Sequence, residues 1–377
     1  MAGEGAGVSL TAEHYMARAL ELARRGEGRT RPNPAVGAVL VRDGRIVGEG
    51  FHPAAGQPHA EIFALREAGD AARGADLYVT LEPCNHQGRT GPCTEAIMAA
   101  GVARVVVGTE DPNPRVAGSG LRRLAAAGIA VQSGVLAAEC RRLIAPFAKH
   151  VVSGLPFITL KSAVTLDGKT ATSRGDSQWI SGAASRERVH RLRDRVDAIM
   201  VGIGTALRDD PRLTTRLPEG GRDPLRVVVD SRLRLPEQAA LLQLDSAAPT
   251  LIATTAQAAP DKVDRLRRGG AEVLVVAERA GRVDLTALAR LLGERGLQHV
   301  LLEGGAGLNA GCWEANLVDR LMLFVAPKVV GGDDGFGIFA GCGVERLAEA
   351  RGLREMRVQQ VGDDLLIEAE VQTCSQD

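Results

Sequence analysis

Short apolar runs alternate with amphipathic stretches through the first half of the chain. The apolar runs have the length of buried strands, and the stretches between them repeat apolar positions with helical spacing. The pattern predicts an α/β domain in which strands and helices form layers. The predicted strands are 35–41, 46–50, 77–81 and 104–108, and the predicted helices are 58–68, 94–100 and 121–127.

This alternation breaks in a proline-containing stretch, residues 146–156, and a second series of strands begins with 157–160. A chain of 377 residues is also longer than one hydrophobic core usually serves. We therefore predict two domains, 1–149 and 150–377. Further strands are predicted at 197–201, 225–230, 250–254, 272–276, 300–303 and 320–327, with an amphipathic helix at 185–195.

Charge and aromatic content argue against a nucleic-acid or membrane partner. The chain has 46 basic and 46 acidic residues, and its two Trp and two Tyr are too few for a base-stacking surface. No apolar segment reaches membrane-spanning length, and residues 1–10 lack the basic start and apolar run of a targeting signal. The six cysteines are scattered, unlike those of a disulfide scaffold. We expect a cytoplasmic protein that acts on a small molecule.

Three soft metal ligands and one carboxylate follow one another in an informative order. His59 and Glu61 form an H-x-E triplet, and Cys84 and Cys93 come after it. A catalytic zinc needs three protein ligands and an open position where a bound water loses a proton near neutral pH. Glu61 would then carry that proton to a ring nitrogen and to departing ammonia. The order predicts a zinc-dependent deaminase.

The spacing of the two cysteines differs from the usual deaminase pattern, in which two residues separate them. Here eight residues, 85–92, lie between Cys84 and Cys93, so the chain must make an excursion loop. A closed structural zinc site and plain buried thiols are the alternatives. If His59 opens one helix and Cys93 opens the next, the ligands meet at one edge of the sheet.

Glycines follow two predicted strands of the second domain, in segments 202–205 and 303–309. A strand that runs into a glycine-rich turn and a helix presents free backbone N–H groups and a positive dipole end, which suit a pyrophosphate. Neither segment matches G-x-G-x-x-G, and tight turns that pack a helix on a sheet explain such glycines equally well. Polar residues nearby in the sequence, among them Lys161, Arg193 and Asp209, could form a solvated rim.

Taken together, these residues resemble the family of bifunctional riboflavin-biosynthesis deaminase/reductases over almost the whole chain. In the first half the resemblance rests on PNPAVG at 32–37, HAE at 59–61, the loop 84–93 and DPN at 111–113. In the second half it rests on KSA at 161–163, LDG at 166–168, WI at 179–180, VGIGT at 201–205, DDP at 209–211, LTTR at 213–216 and EGG at 303–305.

The resemblance implies two successive reactions on one phosphorylated pyrimidine. The fold would be α/β, with a cytidine-deaminase-like three-layer domain followed by a dihydrofolate-reductase-like domain. The first domain would use Zn2+ to hydrolyse the 2-amino group of 2,5-diamino-6-(5-phosphoribosylamino)pyrimidin-4-one. The second would use NADPH to reduce the ribosyl group to ribityl. A homo-oligomer, a dimer or higher, formed through the reductase half is also implied.

Carried over position by position, the resemblance makes Glu61 the proton shuttle and the histidine and two cysteines the zinc ligands. The positions that would hold base, ribose and phosphate are Asn33, His52, His86, Arg89, Asp111 and Asn113. Arg89 suits a phosphate because its planar guanidinium can bond two oxygens at once. The alternative for His52 and His86 is that they are loop histidines bonded to the backbone.

In the second domain, Lys161 and Asp209 match polar positions beside the reacting ribose, where they could open the sugar ring and stabilise the imine that accepts hydride. The matching substrate-binding positions are Arg193, Leu213, Arg216 and Glu303, with the two arginines as phosphate partners. The matching cofactor positions are Ala163, Ser177, Trp179, Thr205, Asp209, Ser231, Gly305, Ala306 and Gly307. Ser231 and Arg232 could receive a 2′-phosphate, whereas Asp230 could favour NADH, so NADPH rests on the resemblance.

Two other functions remain open from the sequence. A zinc deaminase of nucleosides or tRNA would share the first domain but would leave the second unexplained, and the charge balance counts against tRNA. A non-catalytic zinc-binding relative would be supported by loss of Glu61, Lys161 or Asp209, and all three are present.

Overall fold

The computed structural model describes residues 11–87, 91–114 and 116–372, and the chain divides into two compact units, Met1–Ser153 and Gly154–Asp377. The predicted limit at 149/150 lies inside the last helix of the first unit, Ala137–Ser153, which continues through Pro146. Proline removes one helical hydrogen bond, but this helix buries Cys140 and Ile144, and packing of that face stabilises it. The units therefore divide at the end of this helix and not within it.

Helices and strands alternate along the first unit, as the sequence predicts. The helices are α1 (Ala12–Arg24), α2 (Ala60–Ala68), α3 (Cys93–Ala100), α4 (Ser119–Ala126) and α5 (Ala137–Ser153). The strands are β1 (Gly37–Arg42), β2 (Arg45–Phe51), β3 (Asp76–Leu81), β4 (Arg104–Thr109) and β5 (Ala130–Ser133). Their order is β2-β1-β3-β4-β5, in which β1 is antiparallel to both neighbours and β3, β4 and β5 are parallel.

Alternate residues of these strands face two separate cores. Val79 and Val105 pack with α2, α3 and α4, whereas Tyr78 and Val106 pack with α1 and α5. Because successive side chains of a strand point to opposite faces, a sheet that is covered on both faces gives three layers. Cys84 follows the end of β3, so the predicted metal centre lies at the edge of the middle layer.

The second unit contains a nine-stranded sheet. Its strands are β6 (Phe157–Thr165), β7 (Ala198–Gly202), β8 (Leu225–Val229), β9 (Thr250–Thr254), β10 (Glu272–Val275), β13 (His299–Leu302), β14 (Val318–Ala326), β15 (Leu353–Val361) and β16 (Asp364–Val371), and a small separate sheet pairs β11 (Glu278–Arg279) with β12 (Arg282–Val283). The helices are α6 (Ala183–Arg195), α7 (Ile203–Asp209), α8 (Pro260–Arg268), α9 (Leu285–Glu294) and α10 (Ala306–Glu314). Within the described ranges, no helix has both the length and the apolar character needed to cross a membrane.

The order of the large sheet is β10-β9-β8-β7-β13-β6-β14-β16-β15, and the strands from β10 to β14 are all parallel. Ile199 and Val201 pack with α7 and α8, whereas Met200 and Leu302 pack with α9 and α10. Strands β7, β13 and β6 are neighbours, so their carboxyl ends come to one edge of the sheet. Ligands bind at such an edge in open parallel sheets.

The last two strands form an antiparallel hairpin that the sequence pattern does not predict. Strand β15 is exposed along nearly its whole length, and its apolar residues Leu353, Met356 and Val358 are 45%, 67% and 56% exposed. A half-buried strand is recognised by one apolar face. Because β15 is exposed on both faces, it lacks that alternation.

Lowering the pH should destabilise the second unit through His299. Burial and the charge of Arg320 lower the pKa of this imidazole to about 3, and Thr159 Oγ1 lies 2.9 Å from its Nε2. Histidine in an unfolded chain titrates near pH 6.5. Stability is therefore complete above that pH and falls by up to about 1.4 kcal/mol per pH unit below it, because only the unfolded chain takes up the proton.

Tryptophan fluorescence can follow this effect, since both tryptophans, Trp179 and Trp313, lie in the second unit. The free energy of unfolding in urea should fall more steeply between about pH 6.5 and pH 4 in the parent chain than in His299→Gln, which keeps a hydrogen-bonding group. Equal slopes in the two proteins would show that His299 titrates normally in the fold.

Candidate functional site

Three side chains with metal-binding atoms meet at one edge of the first sheet. His59 is the N-cap of α2, Cys93 is the first residue of α3, and Cys84 follows β3. His59 Nδ1 lies 3.5 Å from Cys84 Sγ and 3.3 Å from Cys93 Sγ, and the three ligand atoms all lie within 4.8 Å of one another. The two helices thus begin within two residues of the predicted starts, 58 and 94.

These separations fit a tetrahedral zinc ion. With bonds of about 2.0 Å to nitrogen and about 2.3 Å to sulfur, tetrahedral ligands lie roughly 3.5–3.8 Å apart. One imidazole and two thiols are donors that zinc prefers, and three protein ligands leave a fourth position open. Among the described residues, this is the one group of three or more such side chains within metal-binding range.

Glu61, the second residue of α2, is 3% exposed and lies beside this centre. Its carboxyl group hydrogen bonds with the side chain of Cys93, and burial together with the charge of Cys84 raises its pKa to about 7. Glu61 does not belong to the ligand group. Its carboxyl group therefore remains available to move a proton.

His52 and Asn33 lie next to the metal ligands and contact each other. His52 is 1% exposed, with Nδ1 3.0 Å from the carbonyl oxygen of Pro58 and Nε2 3.1 Å from Asn33 Nδ2. The neutral tautomer with its hydrogen on Nδ1 satisfies both contacts, and burial lowers the pKa of the ring. The His52 ring also meets the His59 ring edge-on at 5.4 Å. His52 is thus bonded to the backbone and packed against a candidate metal ligand.

The loop after β4 carries Asp111 and Asn113, two of the predicted pocket residues. Asp111 Oδ1 accepts the backbone N–H of Asn113 at 2.8 Å. Burial raises the pKa of Asp111, and the charges of His86 and Cys84 also act on it, so this loop lies near the metal centre. His86 itself is exposed. Arg89 lies outside the described residues.

In the second unit, a cluster of charged side chains lies where β13 ends. Arg193 of α6 donates from Nε to Glu303 Oε1 at 3.0 Å and from Nη2 to Oε2 at 2.8 Å, and these side chains are 11% and 13% exposed. Burial lowers the pKa of Lys161 on β6, and the charge of Glu303 opposes that shift. Burial would raise the pKa of Glu303, but the charges of Arg193 and Lys161 lower it to about 2. Glu303 is thus an anion that is bonded to Arg193 and stabilised by the charge of Lys161.

The ion pair between Arg193 and Glu303 affects which of the two predicted arginines, Arg193 or Arg216, can bind a phosphate. Arg193 also donates from Nη1 to the carbonyl oxygen of Thr214 at 3.1 Å, so it bonds within the protein through all three of its nitrogens. Arg216 is exposed and donates from Nη1 to Thr214 Oγ1 at 3.2 Å. Arg216 is therefore better placed than Arg193 to offer a guanidinium fork to a phosphate.

His190 belongs to the same cluster, and the sequence interpretation missed it. It lies on α6, and its Nδ1 accepts the backbone N–H of Arg216 at 3.3 Å. Burial and the charges of Arg193 and Arg216 lower its pKa to about 4. One signal could have found it, because an i, i+3 spacing places His190 and Arg193 on the same side of a helix.

Two residues predicted for the reductase site, Asp209 and Leu213, are not part of this charged cluster. Asp209, the last residue of α7, is exposed, and within the described residues no hydrogen bond or ion pair joins it to Lys161. Partial desolvation raises the pKa of Asp209, and the charge of Arg208 opposes that shift. Leu213 is 3% exposed, packs in a hydrophobic core and has a φ of 54°. Its backbone, and not its side chain, is therefore available to a substrate.

The two glycine-rich turns of the second unit touch each other. Helices α7 and α10 begin after Gly202 and Gly305, and neither has a side-chain cap at its N terminus. A Cβ atom on Gly305 would lie 3.1 Å from Thr205 Oγ1. Ala306 and Gly307 are the first residues of α10. Uncapped N–H groups of two neighbouring helices suit a pyrophosphate.

The remaining predicted cofactor residues before β7 lie on β6 and in the loop that follows it. Ala163 is partly buried on β6, and Ser177 is partly buried in the loop. Trp179 is 62% exposed, with Arg186 stacked over its ring at 4.8 Å. Lys328 Nζ donates to the carbonyl oxygen of Trp179 at 2.6 Å. The indole is thus held in an exposed position where it can contact a ligand.

Asp230 is fully buried, and its Oδ2 accepts the backbone N–H of Leu235 at 2.8 Å. The burial of Asp230 counts against a contact between its carboxylate and a ribose hydroxyl of NADH, and the choice between NADPH and NADH stays a prediction. Ser231 Oγ accepts the backbone N–H of Val283 at 3.0 Å, and Arg232 beside it is exposed.

Both units match known protein families. Residues 156–367 match the model of the RibD C-terminal domain, and residues 10–109 match the cytidine and deoxycytidylate deaminase zinc-binding region. The chain is 43% identical over 357 residues to riboflavin biosynthesis protein RibD of Bacillus amyloliquefaciens, covering 95% of each chain. It is 42% identical over 367 residues to the protein of that name from Escherichia coli, covering 94% of this chain and 98% of the relative.

Solved structures agree with these matches. The chain is similar to RibD of Acinetobacter baumannii, with a TM-score of 0.82, 37% identity and coverage of 96% of this chain and 99% of that one. The same values hold for a diaminohydroxyphosphoribosylaminopyrimidine deaminase/5-amino-6-(5-phosphoribosylamino)uracil reductase from Thermotoga maritima. The predicted fold class, a cytidine-deaminase-like unit followed by a dihydrofolate-reductase-like unit, is confirmed.

Proposed function

The chain belongs to the RibD family of bifunctional riboflavin biosynthesis proteins, and we propose that its units deaminate and then reduce one phosphorylated pyrimidine. The substrate of the first step is 2,5-diamino-6-(5-phosphoribosylamino)pyrimidin-4-one, and the second step converts the ribosyl group to ribityl. The observation that carries the proposal is a buried Glu61 beside three zinc-binding atoms, in a chain whose other unit matches the reductase family.

In the first unit, His59, Cys84 and Cys93 would hold Zn2+. The chemistry that zinc supplies in such a site is acidification of a bound water. Glu61 would transfer two protons of the attacking water in turn, the first to a ring nitrogen and the second to the amino group that leaves as ammonia, because its carboxyl group is buried beside the ligands and is not one of them. Residues of the loop after β4, Asp111 and Asn113, would hold the substrate.

In the second unit, NADPH would lie against the turns that precede α7 and α10, and it supplies hydride when bound. Lys161 would stand beside the ribose and donate a proton as the sugar ring opens, while the negative charge of Glu303 favours its ammonium form. Asp209 is the proposed carboxylate partner on the exposed end of α7. Arg216 would bond the substrate phosphate, since Arg193 is occupied by Glu303.

The choice of NADPH over NADH is supported by the charges around β8. An acidic side chain at this strand end would repel a 2′-phosphate, but Asp230 is buried and bonded to the backbone of Leu235. Arg232 is exposed next to Ser231 and can meet a 2′-phosphate. The exposed guanidinium of Arg232 and the burial of the Asp230 carboxylate both favour NADPH over NADH.

We also propose a reducing, cytoplasmic setting. The five cysteines in the described part of the chain are free thiols. Thiols stay reduced in the cytosol, and zinc binding requires Cys84 and Cys93 as thiolates.

Mass spectrometry of the diaminopyrimidine ribosylamino phosphate, incubated with zinc-loaded protein, tests the proposal. Without NADPH, the amine should become a carbonyl, and with NADPH the product should gain two further hydrogens. If the compound is unchanged in both tubes while zinc is bound, the substrate assignment fails. Deamination of a free nucleoside or of tRNA in that case would favour the alternative deaminases.

The oligomer should be a homodimer through the exposed hairpin β15–β16. Strand β15 pairs with β16 on one side, and its other edge meets no described strand. An exposed edge strand with apolar residues is a template for pairing with a second copy. Light scattering at micromolar concentration should give about twice the mass of the 39.6 kDa chain.

A substitution in β15 should separate the copies. Val358→Glu places a charge on the strand and should give a monomer, whereas Val152→Glu on α5, where the valine is similarly exposed at 63%, should leave the dimer intact. A monomeric parent chain, or a dimer that survives Val358→Glu, would rule out this interface.

A further inference from the structure

Glu82 is a buried carboxylate that has no part in the chemistry proposed above. It follows β3, comes two residues before Cys84 and is 6% exposed. Its backbone N–H donates to the carbonyl oxygen of Thr109 at 3.0 Å, at the end of the neighbouring strand β4. A buried carboxylate is costly unless its oxygens are hydrogen bonded, so its partners show what it holds in place.

Those partners are four backbone N–H groups from a single stretch of chain. Oε2 accepts from Asp111 at 3.1 Å and from Gly118 at 2.9 Å. Oε1 accepts from Gly120 at 2.8 Å and from Leu121 at 3.4 Å. Both oxygens therefore bond to the segment that leads from the end of β4 into α4.

Two of these contacts require glycine in the partner segment. Gly118 has a φ of 71°, in the left-handed region that favours glycine. A Cβ atom on Gly120 would lie 2.1 Å from the carbonyl oxygen of Pro83 and 3.2 Å from Glu82 Oε1. The missing side chain lets the start of α4 approach the segment that contains Glu82.

Glu82 also acts as the N-terminal cap of α4. The N-cap residue of this helix is Gly118, which has no side chain with which to cap, and the carboxylate accepts the N–H groups of Gly118, Gly120 and Leu121 instead. An N-terminal helix turn favours a negative charge. Asn85 adds a weaker hydrogen bond, in which its Nδ2 donates to the carbonyl oxygen of Ser119 at 3.5 Å.

The same carboxylate holds both ends of the loop that carries the predicted pocket residues. The N–H of Asp111 is bonded at one end and the N–H of Gly118 at the other. Asp111 in turn accepts the N–H of Asn113 at 2.8 Å. The loop is thus attached to the segment that carries Cys84 by a bond at each end.

We propose that Glu82 is a positioning residue of the deaminase, which sets the loop 111–118 at a fixed place beside the metal centre so that Asp111 and Asn113 meet the substrate. This inference rests on the proposed function, because it assigns those two residues to the pocket. A carboxylate is needed since four N–H groups require two accepting oxygens. A glutamine would offer one oxygen and would turn an NH2 group toward two N–H donors.

The test compares Glu82→Gln with Glu110→Gln in the zinc-loaded full chain. Glu110 is exposed in the same loop, so its variant loses the same charge without losing the bonds. In Glu82→Gln, amide hydrogen exchange in 111–121 should accelerate by about tenfold or more. The KM of deamination should rise by about tenfold, while kcat changes less, since Glu61 and the ligands are untouched. Zinc content and reductase activity should match the parent chain.

Unchanged exchange in 111–121, or a fall in kcat at constant KM, would overturn the positioning role. Glu82→Asp keeps the charge on a side chain that is shorter by one methylene. Its exchange rate in 111–121 and its KM should lie between those of the parent chain and those of Glu82→Gln. If both variants lose zinc and unfold the first unit, Glu82 is required for folding and the proposal is wrong. Should the parent chain fail to deaminate the pyrimidine, the proposed function fails by itself, whereas the exchange measurement still decides whether Glu82 holds the loop.

Discussion

Replacing Glu61 with glutamine should slow deamination by about 10³-fold or more, because a positioned proton shuttle contributes about 10² to 10⁴ to a rate. Glutamine has nearly the same shape but cannot take up the proton. The side chain is 3% exposed and lies beside the three ligand atoms without belonging to them. Zinc content should therefore stay at the parent level, and so should reduction by the second unit.

The matched control is Glu67→Gln on the same helix. Glu67 is exposed and accepts the backbone N–H of Glu49 at 2.8 Å, a bond that a glutamine oxygen can also accept. This variant should deaminate at the parent rate. The zinc content and the rate of ammonia release are measured on the same preparation of each protein. Together they show whether activity is lost while zinc is retained. If Glu61→Gln binds zinc and retains more than about a tenth of the activity, another group moves the proton.

Lys161→Met should slow reduction by about 10² to 10³-fold and leave deamination unchanged. Methionine approximates the length and volume of lysine but has no ammonium group to give a proton to the opening sugar. Removing Lys161 does not leave Glu303 unpaired, because Arg193 still donates to both of its oxygens at 3.0 and 2.8 Å. The second unit should therefore remain folded, and the loss should come from chemistry.

The measurement is the consumption of NADPH with the deaminated pyrimidine as substrate. Lys262→Met on α8, outside the charged cluster, serves as the control and should reduce at the parent rate. Tryptophan fluorescence in urea would establish that both variants keep their stability. Should Lys161→Met reduce the substrate within a few-fold of the parent rate, Lys161 is not the proton donor. The two variants, Glu61→Gln and Lys161→Met, together should separate the two activities within one chain.

Much of the fold could be predicted because local patterns of apolar and polar residues indicate its strands and helices. The strand predicted at 77–81 is observed as β3, Asp76–Leu81, and the strand at 250–254 as β9, Thr250–Thr254. Parallel strands buried on both faces give continuous apolar runs, which are visible without any knowledge of their neighbours. The sequence places a domain limit at 149/150 because Pro146 is a strong local signal, whereas helix α5 is stabilised by packing and continues to Ser153.

The proximity of the candidate zinc ligands and Glu61 could also be predicted, because a metal site requires specific side chains and few residue types can serve. The type of each residue, and its position at the start of a helix or after the end of a strand, indicate which chemistry it can perform. His190 and Glu82 could not be recognised in this way. A histidine on a charged helix and a glutamate after a strand are common, and their roles depend on what they contact.

The sequence by itself determined the alternation of strands and helices, the candidate set of zinc ligands and the membership of a two-reaction family. The tertiary structure alone decided that Arg193 is paired with Glu303, that Asp230 is fully buried and that Glu82 bonds to both ends of the loop 111–118. The physical reason is range. Residue type and periodicity are properties of a short segment, whereas pairing and burial depend on groups that the fold brings together from distant parts of the chain.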